Sequence, residues 1–550
     1  MTKIIATNIT SPLGLTTAEN YAAVRAGASA LREMNGCLGV PGHVCVGAFS
    51  AQQRDALKID GFSWFESLVI RSVRDAIERC SINVSDPRAI LILGTSTAGI
   101  EELGPTLDKD GCYLAPGLAA KKVSSFLGFV NDPVVVSNAC VSGATAQMMG
   151  VKLISTGLYD NAVVCGADVL SAFVIAGFGS FKSLSPVPCR PFDIERKGLN
   201  IGECAATMVL SADGPKDAWS IVDGCLNNDA YHVSAPIPNG DGVRRTMENI
   251  LTPKIIDSLA CISAHGTATM FNDQMESKAI EAAGLSDIPT MALKPHFGHT
   301  FGASGVVEAI ITMSSLDEGI LLPVVGFDEA GVSGKMNICK SRLDTDKKTF
   351  IKIQSGFGGC NGSIVYSRDY FEKSEGVSSD YEVVDSIMIS SDDAQSITDI
   401  YKDKLNDGPK FYKMDSYSRL VYLAVTLLSE KSIAKYDPTR VAMVIFTLNG
   451  SVLADRKHLS TFCNPDEFYP SPAVFINTLP NVVLGEIAAR NNIKGETTVV
   501  MLPERNDEIM NTIIEATQSQ TTPQALICGW VDCEAEDKYC ADIKLYEKQN

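Results

Sequence analysis

The chain is short of positive charge: 47 Lys and Arg stand against 65 Asp and Glu, a formal net charge of −18. That balance argues against nucleic-acid binding, because neutralising phosphates needs Lys and Arg in excess on some face. The sequence also lacks an uninterrupted apolar run of about 18 residues and an N-terminal basic stretch with an apolar core and small-residue cleavage site. No membrane span or export signal is therefore expected, and a cytoplasmic setting is the default. Histidine is scarce at six residues and tryptophan scarcer at three. Cysteine is plentiful at 16, yet it forms no CxxC pairs and no His-rich ligand spacing, and it stands in apolar strings such as VVCGAD and ALICGW. That usage excludes a disulfide framework and a zinc site and fits reduced, buried thiols, so no metal is expected. What remains is an ordinary globular composition, 45% hydrophobic and 20% charged over 550 residues, enough for three or four units at about 150 residues each.

Strands and helices alternate along the chain. MTKIIATNITSPLG reads as a strand into a turn, TTAENYAAVRAG as a Thr-capped helix, and FSWFESLVIRSVRDAIERC as a helix by its apolar spacing. AILILGTS and PVVVSNA read as buried strands, SGATAQMMGVKLISTG as a helix, and NAVVCGAD and CAATMVLSA as closing strands. A second unit repeats the style through WSIVDGCL, GVRRTMENIL, CISAH, MESKAIEAA, IPTMALK, SGVVEAIITMSSL, TFIKIQSGFG and GSIVYSRDY. Apolar, non-alternating strands between helices predict an α/β sheet covered on both faces. The boundaries expected are 1–215, 216–370, a Ser/Glu/Gly-rich linker at 371–382, and 383–550.

The last unit echoes the first in order. LKIDGFSWFESLVIRSV returns as YKMDSYSRLVYLAVTLL, AILILGTSTAG as VAMVIFTLNGS, and NAVVCGADV as QALICGWVD. Three ordered echoes favour a duplicated first half in 383–550, and where the first copy has VSNACVSGA the second has VVMLPERNDE. It lacks the cysteine.

That cysteine, Cys140, sits at a strand-to-helix turn, where the unpaired N–H groups and positive end of the following helix would stabilise a thiolate. Small neighbours would let a substrate carbonyl approach backbone N–H groups. The competing reading is one more buried thiol, since cysteine is among the most buried residue types. Two of the six histidines lie in glycine-punctuated loops, His265 in SAHGTATMFND and His299 in LKPHFGHTFGASG. The second context also fixes Lys294; His296 falls outside the pattern and reads as a loop histidine. GFGG at 356–359 alone reads as a tight turn.

Together these segments resemble the β-ketoacyl-acyl carrier protein synthases, condensing enzymes of thiolase-like fold. The resemblance runs from residue 1 to about 369 through ITSPLG, SNACVSGATA, PFDIERKGLNIGE, AHGTATMFNDQME, LKPHFGHTFGASG and SGFGGCNGS. It implies two related strand-helix halves in a layered αβαβα core, to which 383–550 adds a third, non-catalytic half-domain. It also implies decarboxylative Claisen condensation, elongating a fatty acid or a specialised polyketide or polyene chain. Cys140 would take the acyl group as a thioester, and His265 and His299 would hydrogen-bond the malonyl carbonyl oxygen. Lys294 would orient the pair, and Asp273 and Glu276 would support it, although Glu276 reads equally as a solvent-facing helix charge. The N–H groups of Cys140 and Phe357 would form the oxyanion hole, Phe357 would gate the acyl pocket, and Thr267 and Thr269 would contact pantetheine.

The resemblance implies no bound cofactor, because phosphopantetheine arrives on an acyl carrier protein. Arg54, Lys58 and Arg196 fall near positions that would dock that acidic partner, and a homodimer or a heterodimer with a related subunit is implied. The chain departs from the family pattern at Ser355, Cys360 and Cys204, which puts chain length and substrate preference in doubt. Two rivals stand beside this reading. One is a thiolase, with Cys360 as its second cysteine; the other is a non-catalytic partner of the chain-length-factor kind.

Overall fold

Strands that are apolar at every position need cover on both faces, and the computed structural model, which describes residues 1–103, 114–371, 380–393, 395–429, 433–464 and 467–549, supplies it. The strands of the main sheet are β1 (Thr2–Thr10), β2 (Ala89–Gly94), β3 (Val134–Val136), β4 (Asn161–Asp168), β5 (Cys204–Ser211), β6 (Ser220–Asn228), β7 (Leu259–Ser263) and β8 (Pro289–Met291). They continue as β9 (Asn337–Ile338), β10 (Thr349–Ser355), β11 (Cys360–Ser367), β12 (Tyr381–Ser390), β13 (Val441–Thr447), β14 (Thr497–Met501), β15 (Ala525–Ala535) and β16 (Lys538–Lys548). All join one hydrogen-bonded sheet in the order β9-β8-β7-β10-β11-β6-β1-β5-β4-β2-β3-β14-β13-β15-β16-β12.

That order contains one five-strand pattern three times. β1-β5-β4-β2-β3, β6-β11-β10-β7-β8 and β12-β16-β15-β13-β14 each run through two antiparallel pairings and then two parallel ones. The third pattern meets the first where β3 and β14 pair antiparallel, Val136 opposite Val500 and Val135 opposite Met501. A side-chain cage repeats with the strands. Asp168, ending β4, accepts from Thr95 Oγ1 and from the N–H groups of Ser96 and Thr97. Asp532, in β15, accepts in the same way from Thr447 Oγ1 and the N–H groups of Leu448 and Asn449. Counting from these cages, Val136 matches Val500 and the place of Cys140 falls on Glu504, an exposed residue.

The helices that frame the sheet and the site include α1 (Thr17–Arg25), α2 (Trp64–Glu78), α3 (Ser142–Ser155), α4 (Ala172–Ser180), α5 (Asp241–Glu248), α6 (Met270–Ala282), α7 (Ser304–Asp317), α8 (Ser416–Ser429), α9 (Val482–Asn491) and α10 (Asp507–Thr521). Thr16 and Ser63 cap α1 and α2 in full capping boxes with Glu19 and Glu66, satisfying N–H groups that a helix start leaves open. α3 and α7 are buried along nearly their whole length and pack on each other between the sheet halves, as a helix apolar on all sides must. α2, against β1, β4 and β5, and α5, against β6 and β11, lie on outer faces, which completes αβαβα layering.

Residues 383–550 are bound into this core. α10 packs on α3, and Lys152 in α3 meets both carboxylate oxygens of Glu496 at 2.6 Å with both side chains buried. The expected linker is shorter than 371–382: Phe371 is core and Tyr381 and Glu382 already belong to β12, while 372–379 lie outside the described residues. IPTMALK yields a strand only at β8, because Pro295 starts a helical turn at Lys294–Phe297. His296 is in that turn, buried, with Nδ1 at 2.6 Å from the Ala28 carbonyl, so it is a packed histidine and not a loop residue. Among the described residues no single helix is long and apolar enough to cross a membrane.

Candidate active site

The chain leaves β3 at Val136 and enters α3 at Ser142, and the turn between them holds Ala139 at φ +47°. A left-handed alanine costs about 1–2 kcal/mol and persists where surrounding bonds overdetermine it. Here Ser142 Oγ donates to the Ala139 carbonyl at 2.6 Å, Ser96 Oγ donates to it at 2.9 Å, and the Asn138 N–H donates to Ser142 Oγ at 2.8 Å. Cys140 is thereby placed just ahead of the N-terminus of α3. The loop before α7 has the same form, with Phe301 at φ +45° between His299 and Ser304. Gly143 of α3 lies so close to Gly302 that a methyl group would collide with the Gly302 carbonyl oxygen, so glycine is required for these two turns to meet.

Cys140, His265 and His299 line one cavity of about 350 Å³, together with Phe357, Thr267, Thr269 and Phe271. The imidazoles stand edge to face with ring centres 5.2 Å apart. Lys294 Nζ lies 3.3 Å from His265 Nδ1 and donates to the His265 carbonyl at 2.7 Å. Because a lysine ammonium can only donate, His265 Nδ1 accepts and its Nε2 carries the proton. His299 Nδ1 accepts from the Phe301 N–H at 3.3 Å and lies 3.0 Å from Ser304 Oγ, which fixes the same tautomer. Burial first, then the lysines and the neighbouring imidazole, hold the His265 pKa well below its ordinary value; burial, Lys294 and Lys352 do so for His299. Both rings are neutral at pH 7 with Nε2–H free to donate, which suits two donors to one oxygen.

Lys294 is anchored by a residue that sequence reasoning missed. Glu308, one turn into α7, meets Lys294 at 2.8 Å and Lys352, from β10, at 2.6 Å. Burial raises the Glu308 carboxyl, but the two ammonium groups outweigh it and hold the group below its usual range. Lys352 is lowered mainly by burial and donates to the Ala264 carbonyl at 2.9 Å, behind His265. The signal was present in sequence as a single acid in the apolar helix VVEAIITM and a single lysine in the apolar strand TFIKIQS. Lone charges at otherwise buried positions need partners of opposite sign.

Of the two acids in AHGTATMFNDQME, neither faces solvent. Glu276 accepts from the His265 N–H at 2.5 Å and the Gly266 N–H at 2.8 Å, and Asp273 from the Phe192 N–H at 2.7 Å and the Ala268 N–H at 3.1 Å. They shape the loop that carries His265, and burial pushes them up to about 7 and about 6 respectively. Thr267 and Thr269 share a hydroxyl contact of 2.9 Å at the cavity wall.

The thiol differs from the sequence expectation. Burial pushes Cys140 up to about 12, against the pull of Lys294 and of the backbone N–H groups of Cys140 and Phe357 that point at its sulfur. The helix start is outweighed because the sulfur is cut off from water. Those same two N–H groups are the pair expected to bind an oxyanion.

The expected docking patch comes apart. Arg196 is buried, donates to the Asp193 and Gly331 carbonyls, and lies 3.9 Å from Asp273, so it braces the His265 loop and is closed to a partner. The Arg54 guanidinium is spent on buried Glu203 at 2.8 Å and lies over Trp64. Lys58 stays at the surface beside Glu102.

Residues 3–214 match the model described as "Beta-ketoacyl synthase, N-terminal domain", and residues 219–328 the one described as "Beta-ketoacyl synthase, C-terminal domain". 3-Oxoacyl-[acyl-carrier-protein] synthase 2 of Vibrio cholerae is 28% identical over 354 residues, 58% of this chain and 84% of that protein. The Staphylococcus aureus protein of the same name is 26% identical over 349 residues, with the same coverage. Among solved structures, the PfaC keto synthase-chain length factor aligns with all of this chain and 78% of its own at a TM-score of 0.80 and 13% identity, a likeness of fold alone. A ketosynthase in complex with its chain length factor from Xenorhabdus doucetiae aligns with 66% of this chain and 97% of its own, at 25% identity and a TM-score of 0.59. Family models cover residues 3–214 and 219–328, the body that carries Cys140, His265, Lys294 and His299: the chain belongs to the β-ketoacyl synthase family.

Proposed function

We propose that the protein catalyses decarboxylative condensation of an acyl thioester held on Cys140 with a malonyl thioester, elongating a fatty acyl or polyketide chain. The observation that carries this is the pair of neutral imidazoles, both with Nε2–H available, in the cavity of a buried cysteine. In the first step the Cys140 sulfur attacks the acyl thioester carbonyl, and the N–H groups of Cys140 and Phe357 receive the oxyanion. The departing thiol is the phosphopantetheine arm of a carrier protein, whose passage runs by Thr267 and Thr269. In the second step the malonyl carbonyl oxygen takes hydrogen bonds from His265 and His299, so the negative charge left by carbon dioxide develops against two prepared donors. The carbanion attacks the Cys140 thioester, and the sulfur leaves.

Lys294, Glu308 and Lys352 act behind the imidazoles, fixing the tautomer of His265. Residues 383–550 read as a degenerate copy of the first half, supported by the third five-strand pattern and the Asp532 cage, with Glu504 where the nucleophile would be. Their β14 pairs with the β3 edge of the first half within one chain.

A thiolase reading would need Cys360 in the cavity. Its Sγ instead donates toward the Asn138 and Phe357 carbonyls behind the turn, and it is not among the cavity-lining residues. Incubation with an acyl thioester and carboxyl-labelled malonyl-carrier protein tests the proposal. One carbon dioxide per β-ketoacyl product is expected, and condensation of two acyl thioesters without carbon dioxide would refute it.

A further inference from the structure

Residues 383–550 have Glu504 at the place of Cys140, yet they bond to the backbone beside both donors of the oxyanion hole. Asn481 Nδ2 donates to the Phe357 carbonyl at 2.8 Å and lies 3.6 Å from Cys360 Sγ. Asn481 occupies the N-cap of α9, where an asparagine oxygen ordinarily accepts from the first-turn N–H groups. Here it makes no capping bond, and its buried Oδ1 has no hydrogen-bond partner. The side chain forgoes its local role and turns its amide onto the loop of the catalytic half. Four residues on, Gly485 sits against the backbone of Gly358 so closely that a methyl group would collide with it.

The same unit holds the segment that leads into the other donor. Asn138, two residues before Cys140, donates through Nδ2 to the Thr497 carbonyl at 2.9 Å and accepts at Oδ1 from the Val499 N–H at 3.1 Å. The Ser137 N–H donates to the Val499 carbonyl at 3.1 Å. Asn228 ties the two supports together, donating to the Gly358 carbonyl at 2.8 Å and to Thr497 Oγ1 at 3.1 Å. Ile476, Leu479 and Val482 complete an apolar patch that joins Ala139 to the Phe357 ring.

We infer that residues 383–550 set the oxyanion hole, with Asn481 as the positioning residue that aims the Phe357 N–H. The inference rests on the condensing reading above and adds a division of labour to it. Acyl transfer to Cys140 and carbon–carbon bond formation both pass through a tetrahedral oxyanion at this hole, whereas malonyl decarboxylation relies on His265 and His299, which Asn481 does not touch.

The test compares full-length Asn481→Asp, Asn481→Leu and Asn481→Gln with the unaltered protein. Three readouts are taken: acylation of Cys140 by mass spectrometry, carbon dioxide release from malonyl-carrier protein, and thermal midpoint. Asp keeps the shape and loses the donor, so it decides the matter even where Leu does not fold. Acylation and condensation are expected to fall about tenfold to a hundredfold in Asp and Leu, below the loss from deleting a whole oxyanion donor, with decarboxylation within twofold and partial recovery in Gln. Unchanged acylation in Asp overturns the inference. So does a parallel fall of acylation, decarboxylation and thermal midpoint, which marks a merely structural role. Absence of both acylation and decarboxylation in the unaltered protein would instead strike the condensing reading itself.

Discussion

Replacing Glu308 by glutamine removes one negative charge from between two buried ammonium groups and leaves its shape in place. Lys294 and Lys352 are each about 1% exposed, and Glu308 lies 2.8 and 2.6 Å from them. With the carboxylate gone, the cheapest response is for one lysine to give up its proton, and Lys352, already lowered by burial, is the candidate. A lysine with an ordinary value of 10.5 that must be neutral at pH 7 costs up to about 4.8 kcal/mol, at 1.36 kcal/mol per pH unit. Breaking a buried ion pair costs about 3–5 kcal/mol in general, so the two routes agree. The sign is testable. In the variant the unfolded chain binds one more proton than the folded one below pH 10.5, so its stability rises with pH relative to the unaltered protein. Urea unfolding should therefore show a deficit of about 3–5 kcal/mol at pH 7 that shrinks by about 1.4 kcal/mol per unit toward pH 9. Decarboxylation should fall as well, because Lys294 loses its anchor beside His265. A deficit below about 1 kcal/mol, or one independent of pH, would refute the reasoning.

Three further outcomes follow from the same structure. With Cys140 pushed up to about 12, about one part in 10⁵ is thiolate at pH 7. Its alkylation by iodoacetamide should climb about tenfold per pH unit through pH 9, and a plateau with a midpoint near 7 would contradict the burial argument. The imidazoles are held neutral, so decarboxylation should show no limb near pH 6.5; a histidine limb lost in His299→Ala would show that the pair titrates. For the buried Lys152–Glu496 pair, Glu496→Gln alone should cost about 3–5 kcal/mol, and Lys152→Met with Glu496→Leu about 1 kcal/mol or less; additive costs in a double-mutant cycle would mean that the pair is uncoupled.

Much of the site was legible because its residues carry their own context. Cys140, His265, Lys294 and His299 stand in glycine-rich turns at element ends, and the alternation of apolar strands and helices located those ends. A Thr cap announced α1 and apolar spacing announced α2, and the structure adds a full capping box at the start of each. Supporting residues were harder to read for a physical reason: their partners are distant in sequence. Glu308 and Lys352 look like stray charges until the fold places them together, and Asn481 looks like a helix cap until α9 lies against Phe357. Arg196 was misread in the opposite sense, since a long cation next to an acidic loop can fold inward as readily as outward. The Cys140 pKa went astray because the helix N-terminus is visible in sequence and the loss of water around the sulfur is not.

The central claim is that Cys140 alone carries the growing chain. Intact-protein mass spectrometry after incubation with an acyl-carrier protein should show one acyl group per chain, mapped to the peptide VSNACVSGATA and absent in Cys140→Ala. No adduct on the unaltered protein, or an adduct that persists in Cys140→Ala, would contradict the account.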